Sequence, residues 1–153
     1  METTRVVVPT VSLAGVRATV PMAGLRELYD RAYRDVGRAA AQAGWTVVGP
    51  AVGWYHRMPT GTVDLTAGFV VDAAPGATSG EVTVVELPGG PALVTTHSGP
   101  YDELPGAWEQ VERARAATGT DGRGDFWEEY VTDPEPGGDP SANVTRLVLP
   151  LRP

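Results

Sequence analysis

The chain has 153 residues, enough for one domain with a substantial core. Its net charge of −7 repels phosphate backbones and argues against a direct nucleic-acid role. Cysteine is absent, which excludes disulfides, thiolate metal sites and a cysteine nucleophile; two histidines, His56 and His97, are too few for a histidine-rich metal site. No apolar signal core opens the chain and no long apolar run follows, so the expected location is cytoplasmic, without membrane contact.

In chain order, Arg5 to Val20 reads as a strand with a break. Val6-Val7-Val8 is β-branched, Pro9 interrupts it, and Val11, Leu13, Val16, Ala18 and Val20 follow in partial alternation. Pro21 stands where a helix can begin. Leu25, Leu28, Tyr29, Ala32, Val36, Ala39, Ala40 and Ala43 recur at steps of three and four, which makes one apolar helical face that ends at Gly44. Trp45 to Met58 reads as extended, kinked at Gly49-Pro50. After a turn at Pro59 to Thr62, Val63, Leu65, Ala67, Phe69 and Val71 alternate with Asp64, Thr66, Gly68, Val70 and Asp72, the pattern of a half-buried strand. Ala73 to Gly80 is small and turn-rich and reads as a linker.

The second half begins with a strand at Val82 to Leu87, a turn or bulge at Pro88 to Pro91 and a strand at Ala92 to His97. Leu104, Ala107, Trp108, Val111 and Ala114 form the apolar face of a second helix, closed by Gly119. A polar loop at Thr120 to Asp125, a strand from Phe126, a loop from Glu135 to Ala142 and a last strand from Asn143 to Leu151 complete the chain. Both halves therefore run strand, helix, strand, strand. At an offset of 75, Ala32-Tyr33 matches Ala107-Trp108, Val36 matches Val111, Gly44 matches Gly119, Tyr55 matches Tyr130 and Pro59 matches Pro134. Pro9 and Pro88 are 79 apart, so a small insertion separates them from that register. The expected fold is α+β: two β-α-β-β modules, residues 4–73 and 81–151, in one curved antiparallel sheet. Both helices lie on one face, with a concave ligand pocket at the pseudo-twofold seam.

The chemistry concentrates in Phe126-Trp127-Glu128-Glu129-Tyr130. Strand alternation puts Phe126, Glu128, Tyr130 and Thr132 on one face and Trp127, Glu129 and Val131 on the other. Whichever face turns inward carries a carboxylate into aromatic surroundings, which is costly without a partner. The two glutamates cannot act as the facing pair of a glycosidase, because neighbours on a strand point apart.

The segments Leu87-Pro88-Gly89-Gly90, His97-Ser98-Gly99-Pro100-Tyr101-Asp102-Glu103-Leu104, Glu128-Glu129-Tyr130-Val131-Thr132-Asp133-Pro134 and Leu147-Val148-Leu149-Pro150-Leu151 resemble, in order and spacing, the GyrI-like or AraC-type effector-binding domain family. Gly49-Pro50 and Trp54-Tyr55 fit the same pattern. The resemblance covers nearly the whole chain. It implies a duplicated β-α-β-β fold that binds lipophilic, often cationic, compounds, with the glutamate of an E-x-Y pattern in the pocket. Here that residue is Glu128, with Glu129 the parity alternative. No segment of these 153 residues reads as a helix-turn-helix, so a stand-alone domain is the expectation. Stand-alone relatives also resemble hydrolases that open cyclopropane rings of DNA-alkylating natural products, or inhibitory partners of DNA gyrase.

The expected partner is thus a small molecule, with a protein partner as an alternative and no cofactor or metal. A carboxylate ringed by aromatics attracts a flat cation through charge and ring quadrupole, at about 0.5–2 kcal/mol per cation–π contact. Candidate ligand-binding residues are Glu128, Tyr55, Trp54, Phe69, Trp108, Trp127, Tyr130 and Tyr101. Trp108, on the apolar helical face, reads first as core, and of Trp54 and Tyr55 only one can face the cleft. In an enzyme, Glu128 would be the general base or acid, with Tyr130 polarising a carbonyl. His97 reads as a hydrogen-bonding residue of the Ser98-Gly99-Pro100 turn, His56 as a rim residue, and Asp64 and Asp72 as solvated.

Overall fold

The computed structural model describes residues 2–132 and 139–152. Strands β1 (Thr3–Val8) and β2 (Val11–Pro21) lead through a 3-10 turn into helix α1 (Leu25–Ala43), followed by β3 (Val47–Tyr55) and β4 (Thr62–Val71). The short β5 (Thr78–Ser79) and β6 (Val82–Leu87) come next. β7 (Gly90–Ser98), a second 3-10 turn, α2 (Leu104–Thr118), β8 (Phe126–Tyr130) and β9 (Val144–Pro150) then repeat the earlier order. The fold is α+β; the described residues form one antiparallel sheet of nine strands in the order β1-β7-β9-β8-β3-β4-β2-β6-β5 with two helices.

Both helices end where their glycines permit it. Gly44 (φ 75°) and Gly119 (φ 68°) adopt the left-handed conformation that closes a helix C-terminus without a Cβ clash. Helix α1 buries Leu28, Ala32, Val36, Ala39 and Ala40 against β2 and β4, as its three-four spacing predicts. That core takes Val63, Leu65, Ala67 and Val71 from β4. Helix α2 buries only Leu104, Ala107 and Val111, and its main strand contact is β7. The sheet between α2 and α1 is therefore left uncovered at β3 and β8, where the two halves meet.

The break at Pro9 has a larger role than a bulge. β1 leaves its own half and pairs with β7, while β6 leaves its half and pairs with β2. Val8 faces Gly90 and Val11 faces Leu87, so one register continues across the bend. The Gly89 N–H donates to Thr10 Oγ1 at 2.8 Å, which fastens the two bends together. The two ends of the sheet are thereby joined, and the face away from the helices closes on a second core of Val8, Leu13, Val52, Leu87, Ala92, Trp127 and Val148.

Two expectations change as a result. The β4 strand is not simply half-buried: Thr66 and Gly68, on its non-helical face, are buried as well. The segment read as a linker folds back instead, with Thr78–Ser79 pairing with Thr83 and Val82. The end of the predicted strand at Asp133-Pro134, the start of the loop at Glu135 and the Pro59–Pro134 match lie outside the described residues.

Candidate functional site

At the seam, β3 and β8 pair antiparallel with Gly53 opposite Glu128, flanked by Ala51–Tyr130 and Tyr55–Phe126. These side chains share the helical face, as alternation requires. Position 128 is position 53 plus the repeat offset of 75, so the carboxylate and its counterpart meet on the pseudo-twofold axis. The counterpart has no side chain. A Cβ at Gly53 would overlap the Tyr29 hydroxyl and stand 2.9 Å from the Tyr29 ring carbon Cζ. Gly53 thus opens the space through which Tyr29 reaches from α1 to the middle of the sheet.

Glu128 is only 5% exposed. Its Oε2 accepts a hydrogen bond from Trp108 Nε1 at 2.8 Å, and its Oε1 accepts one from the Tyr130 hydroxyl at 2.6 Å. The Tyr55 hydroxyl joins this site through Tyr29, at 3.0 Å. The Tyr29 hydroxyl is 3.0 Å from the hydroxyls of both Tyr55 and Tyr130, which links Tyr55, Tyr29, Tyr130 and Glu128 in one row of polar groups. Among the described residues no arginine or histidine pairs with Glu128. Burial pushes its carboxyl above the ordinary value, while the hydrogen bonds from Tyr130 and Trp108, with the nearby Tyr55 hydroxyl, pull the other way. Burial, with the nearby carboxylate, also raises the phenols of Tyr29, Tyr33, Tyr55 and Tyr130, so these stay neutral.

Above this floor lies a cleft of about 2180 Å³ between the two helices. That exceeds the roughly 300–1,000 Å³ of a typical ligand pocket, because the cleft opens to solvent between α1 and α2. All five tyrosines, both phenylalanines and one of the four tryptophans line it. The rings brace one another: Tyr55 stacks on Phe126 at 4.9 Å, Trp108 meets Phe126 edge-on at 4.8 Å, and Tyr29 meets Tyr130 edge-on at 5.8 Å. The charged rim is largely self-neutralised on the α2 side, where Arg115 pairs with Glu112 and Arg123 with Asp125. Among the described residues no group of three or more histidine, aspartate or glutamate side chains is placed to hold a metal ion.

The family model for the GyrI-like small molecule binding domain matches residues 1–152. The chain belongs to this family. No curated protein matches it. Among solved structures, the fold is similar to the EcmrR C-terminal domain, at a TM-score of 0.84 and 19% identity over 99% of this chain and 97% of that one. It is also similar to EcmrR in a complex with DNA (TM-score 0.82, 18% identity, 98% of this chain), where it spans 57% of the EcmrR chain. A hydrolase from Listeria innocua (TM-score 0.67, 15% identity, 99% and 92% coverage) shares the fold. So does SAV2435 bound to tetraphenylphosphonium (TM-score 0.67, 14% identity, 99% and 94% coverage). Among the described residues no helix is long and apolar enough to cross a membrane.

Of the candidate residues, the GyrI-like cleft brings together Glu128, Tyr55, Phe69, Trp108, Tyr130 and Tyr101. It does not include Trp54 or Trp127. These face the second core, because neighbours on β3 and β8 alternate sides. There Trp54 Nε1 donates to Asp125 at 2.9 Å, and Trp127 Nε1 donates to Glu129 at 2.9 Å. Glu129, on that same side, is paired with Arg146 at 3.1 Å. Trp108, read first as core, instead presents its N–H to Glu128. His56 sits against Thr66 at 2.8 Å, and Asp64 pairs with Arg17 at 3.0 Å rather than standing alone in solvent. His97 lies 3.5 Å from Glu103.

Tyr29 was missed. The offset of 75 pairs Trp108 with Tyr33, yet the residue that reaches the axis opposite Trp108 is Tyr29. The signal lay in Pro21 and Leu25, which match Pro100 and Leu104 at an offset of 79 and carry Trp108 onto Tyr29. Helix α1 has 19 residues and α2 has 15, so the four-residue difference between the offsets falls inside the helix.

Proposed function

We infer that this chain binds a lipophilic, aromatic, cationic small molecule of the drug or xenobiotic type in the cleft above Glu128. One observation carries the reading: a buried carboxylate that pairs with no cation among the described residues faces an apolar cleft walled by aromatic rings. Burying that charge costs several kcal/mol unless it is compensated. A ligand cation supplies the compensation, and each ring face adds about 0.5–2 kcal/mol. The likeness to SAV2435, which was solved with a lipophilic cation, supports the same ligand class. The test is calorimetric titration with tetraphenylphosphonium and with planar cationic dyes, on the wild type and on Glu128→Gln. The expected result is tight binding that falls at least tenfold in the variant; equal affinity for the two proteins would refute the reading.

A second reading rests on the raised Glu128 carboxyl beside the Tyr130 hydroxyl, a pair suited to general acid–base work. In that case the protein is a metal-free hydrolase that opens cyclopropane rings of DNA-alkylating natural products, with Glu128 activating water. Incubation with such alkylators decides between the two by mass spectrometry. A water-added, ring-opened product formed at catalytic turnover supports the enzyme, and unchanged compound supports the binder.

A further inference from the structure

The hydrogen atoms around Glu128 can be counted. A phenol has one O–H and an indole one N–H, while an ionised carboxylate offers about four lone-pair sites and no donor. Trp108 spends its N–H on Oε2 and Tyr130 its O–H on Oε1. The Tyr29 hydroxyl stands 3.0 Å from the hydroxyls of both Tyr55 and Tyr130, so in the row Tyr55, Tyr29, Tyr130, Glu128 each phenol has the next oxygen as acceptor for its one proton. Every donor in this row is therefore committed. What remains open toward the cleft is about two carboxylate lone pairs, together with spare lone pairs on the hydroxyls.

Resting on the cation reading above, we propose that the cleft floor is an acceptor-only surface that selects cations carrying an N–H. Its ligand class is the protonated amine with an aromatic body, in preference to a quaternary cation of the same shape. A quaternary cation reaches the same charge and the same rings but leaves the open lone pairs of Glu128 buried and unmatched. A ligand that presents a carbonyl or carboxylate to this floor meets lone pairs with its own lone pairs, and desolvates its oxygen without a partner.

The experiment titrates the whole chain at neutral pH with four naphthalene probes. These are (2-naphthylmethyl)dimethylammonium, its trimethylammonium analogue, the neutral neopentyl isostere and 2-acetonaphthone. The expected order places the protonated amine about tenfold or more ahead of the quaternary cation, the contribution of one charge-assisted hydrogen bond. The ketone binds weakest relative to its size. In Glu128→Gln, whose amide brings donors to the floor, the amine-over-quaternary ratio falls toward unity and the ketone gains. Circular dichroism confirms that the variant is folded. If the quaternary cation binds as tightly as the amine while the neutral isostere binds at least tenfold weaker, the donor count is overturned and the cation reading stands. If all the probes bind the wild type alike, the cation reading falls as well.

Discussion

Gly53 provides the sharpest test of how the site is built. Replacing it with alanine places a methyl group on top of the Tyr29 hydroxyl, 2.9 Å from ring carbon Cζ and 3.0 Å from Cε1. The ring would have to retreat by about half an ångström from Cζ alone, and further at the hydroxyl, to regain ordinary contact. It is braced against Tyr33 at 5.5 Å and Tyr130 at 5.8 Å, so it does not swing freely. The retreat breaks the two 3.0 Å contacts to Tyr55 and Tyr130. Two net hydrogen bonds are worth about 0.5–1.5 kcal/mol each, and overpacking adds about 1–3 kcal/mol. Gly53→Ala should therefore destabilise by about 2–6 kcal/mol. Tyr29→Phe alone loses only the hydrogen bonds, about 1–3 kcal/mol. In the Tyr29→Phe background the methyl no longer meets a hydroxyl, so the double variant should be more stable than the sum of the two singles implies. The expected coupling is about 1–2 kcal/mol. Urea unfolding of the four proteins, with matched slopes, measures it. Strict additivity, or a Gly53→Ala cost under about 0.5 kcal/mol, would show that Tyr29 is not held in the space Gly53 leaves.

Further outcomes follow from the same structure. Burial raises the Glu128 carboxyl, so the folded protein keeps that proton to a higher pH than the unfolded chain does. The stability from this group is full below the unfolded value and is lost as pH rises through the raised folded value. Urea midpoints of the empty protein should fall across that window, and Glu128→Gln should flatten the fall. Cation affinity should rise across the same window, as the carboxylate ionises; an affinity independent of pH there would contradict the assignment. Trp108→Phe should weaken cation binding at least threefold, through its lost hydrogen bond to Glu128. Trp54→Phe and Trp127→Phe, on the other side of the sheet, should leave affinity within twofold by calorimetry. Gly119→Ala, at a left-handed helix end, should cost about 1 kcal/mol of thermal stability and leave affinity unchanged.

The amino-acid order by itself determined the local pieces. Step-three-four spacing located the α1 face, glycine marked both helix ends, and strict alternation along Phe126 to Tyr130 separated Glu128 from Glu129. These features are legible because each depends on a backbone period or a single dihedral angle, both properties of neighbouring residues. Only the tertiary structure decided the exchange of β1 and β6 between halves, since a strand carries no local mark of which distant strand it will pair with. That exchange closes the far face and explains why Trp54 and Trp127 serve a second core instead of the cleft. It likewise took three dimensions to set Gly53 opposite Glu128 and to bring in Tyr29. A glycine is chosen there for the volume it leaves to a side chain 24 residues away, a requirement that no pattern along the chain records.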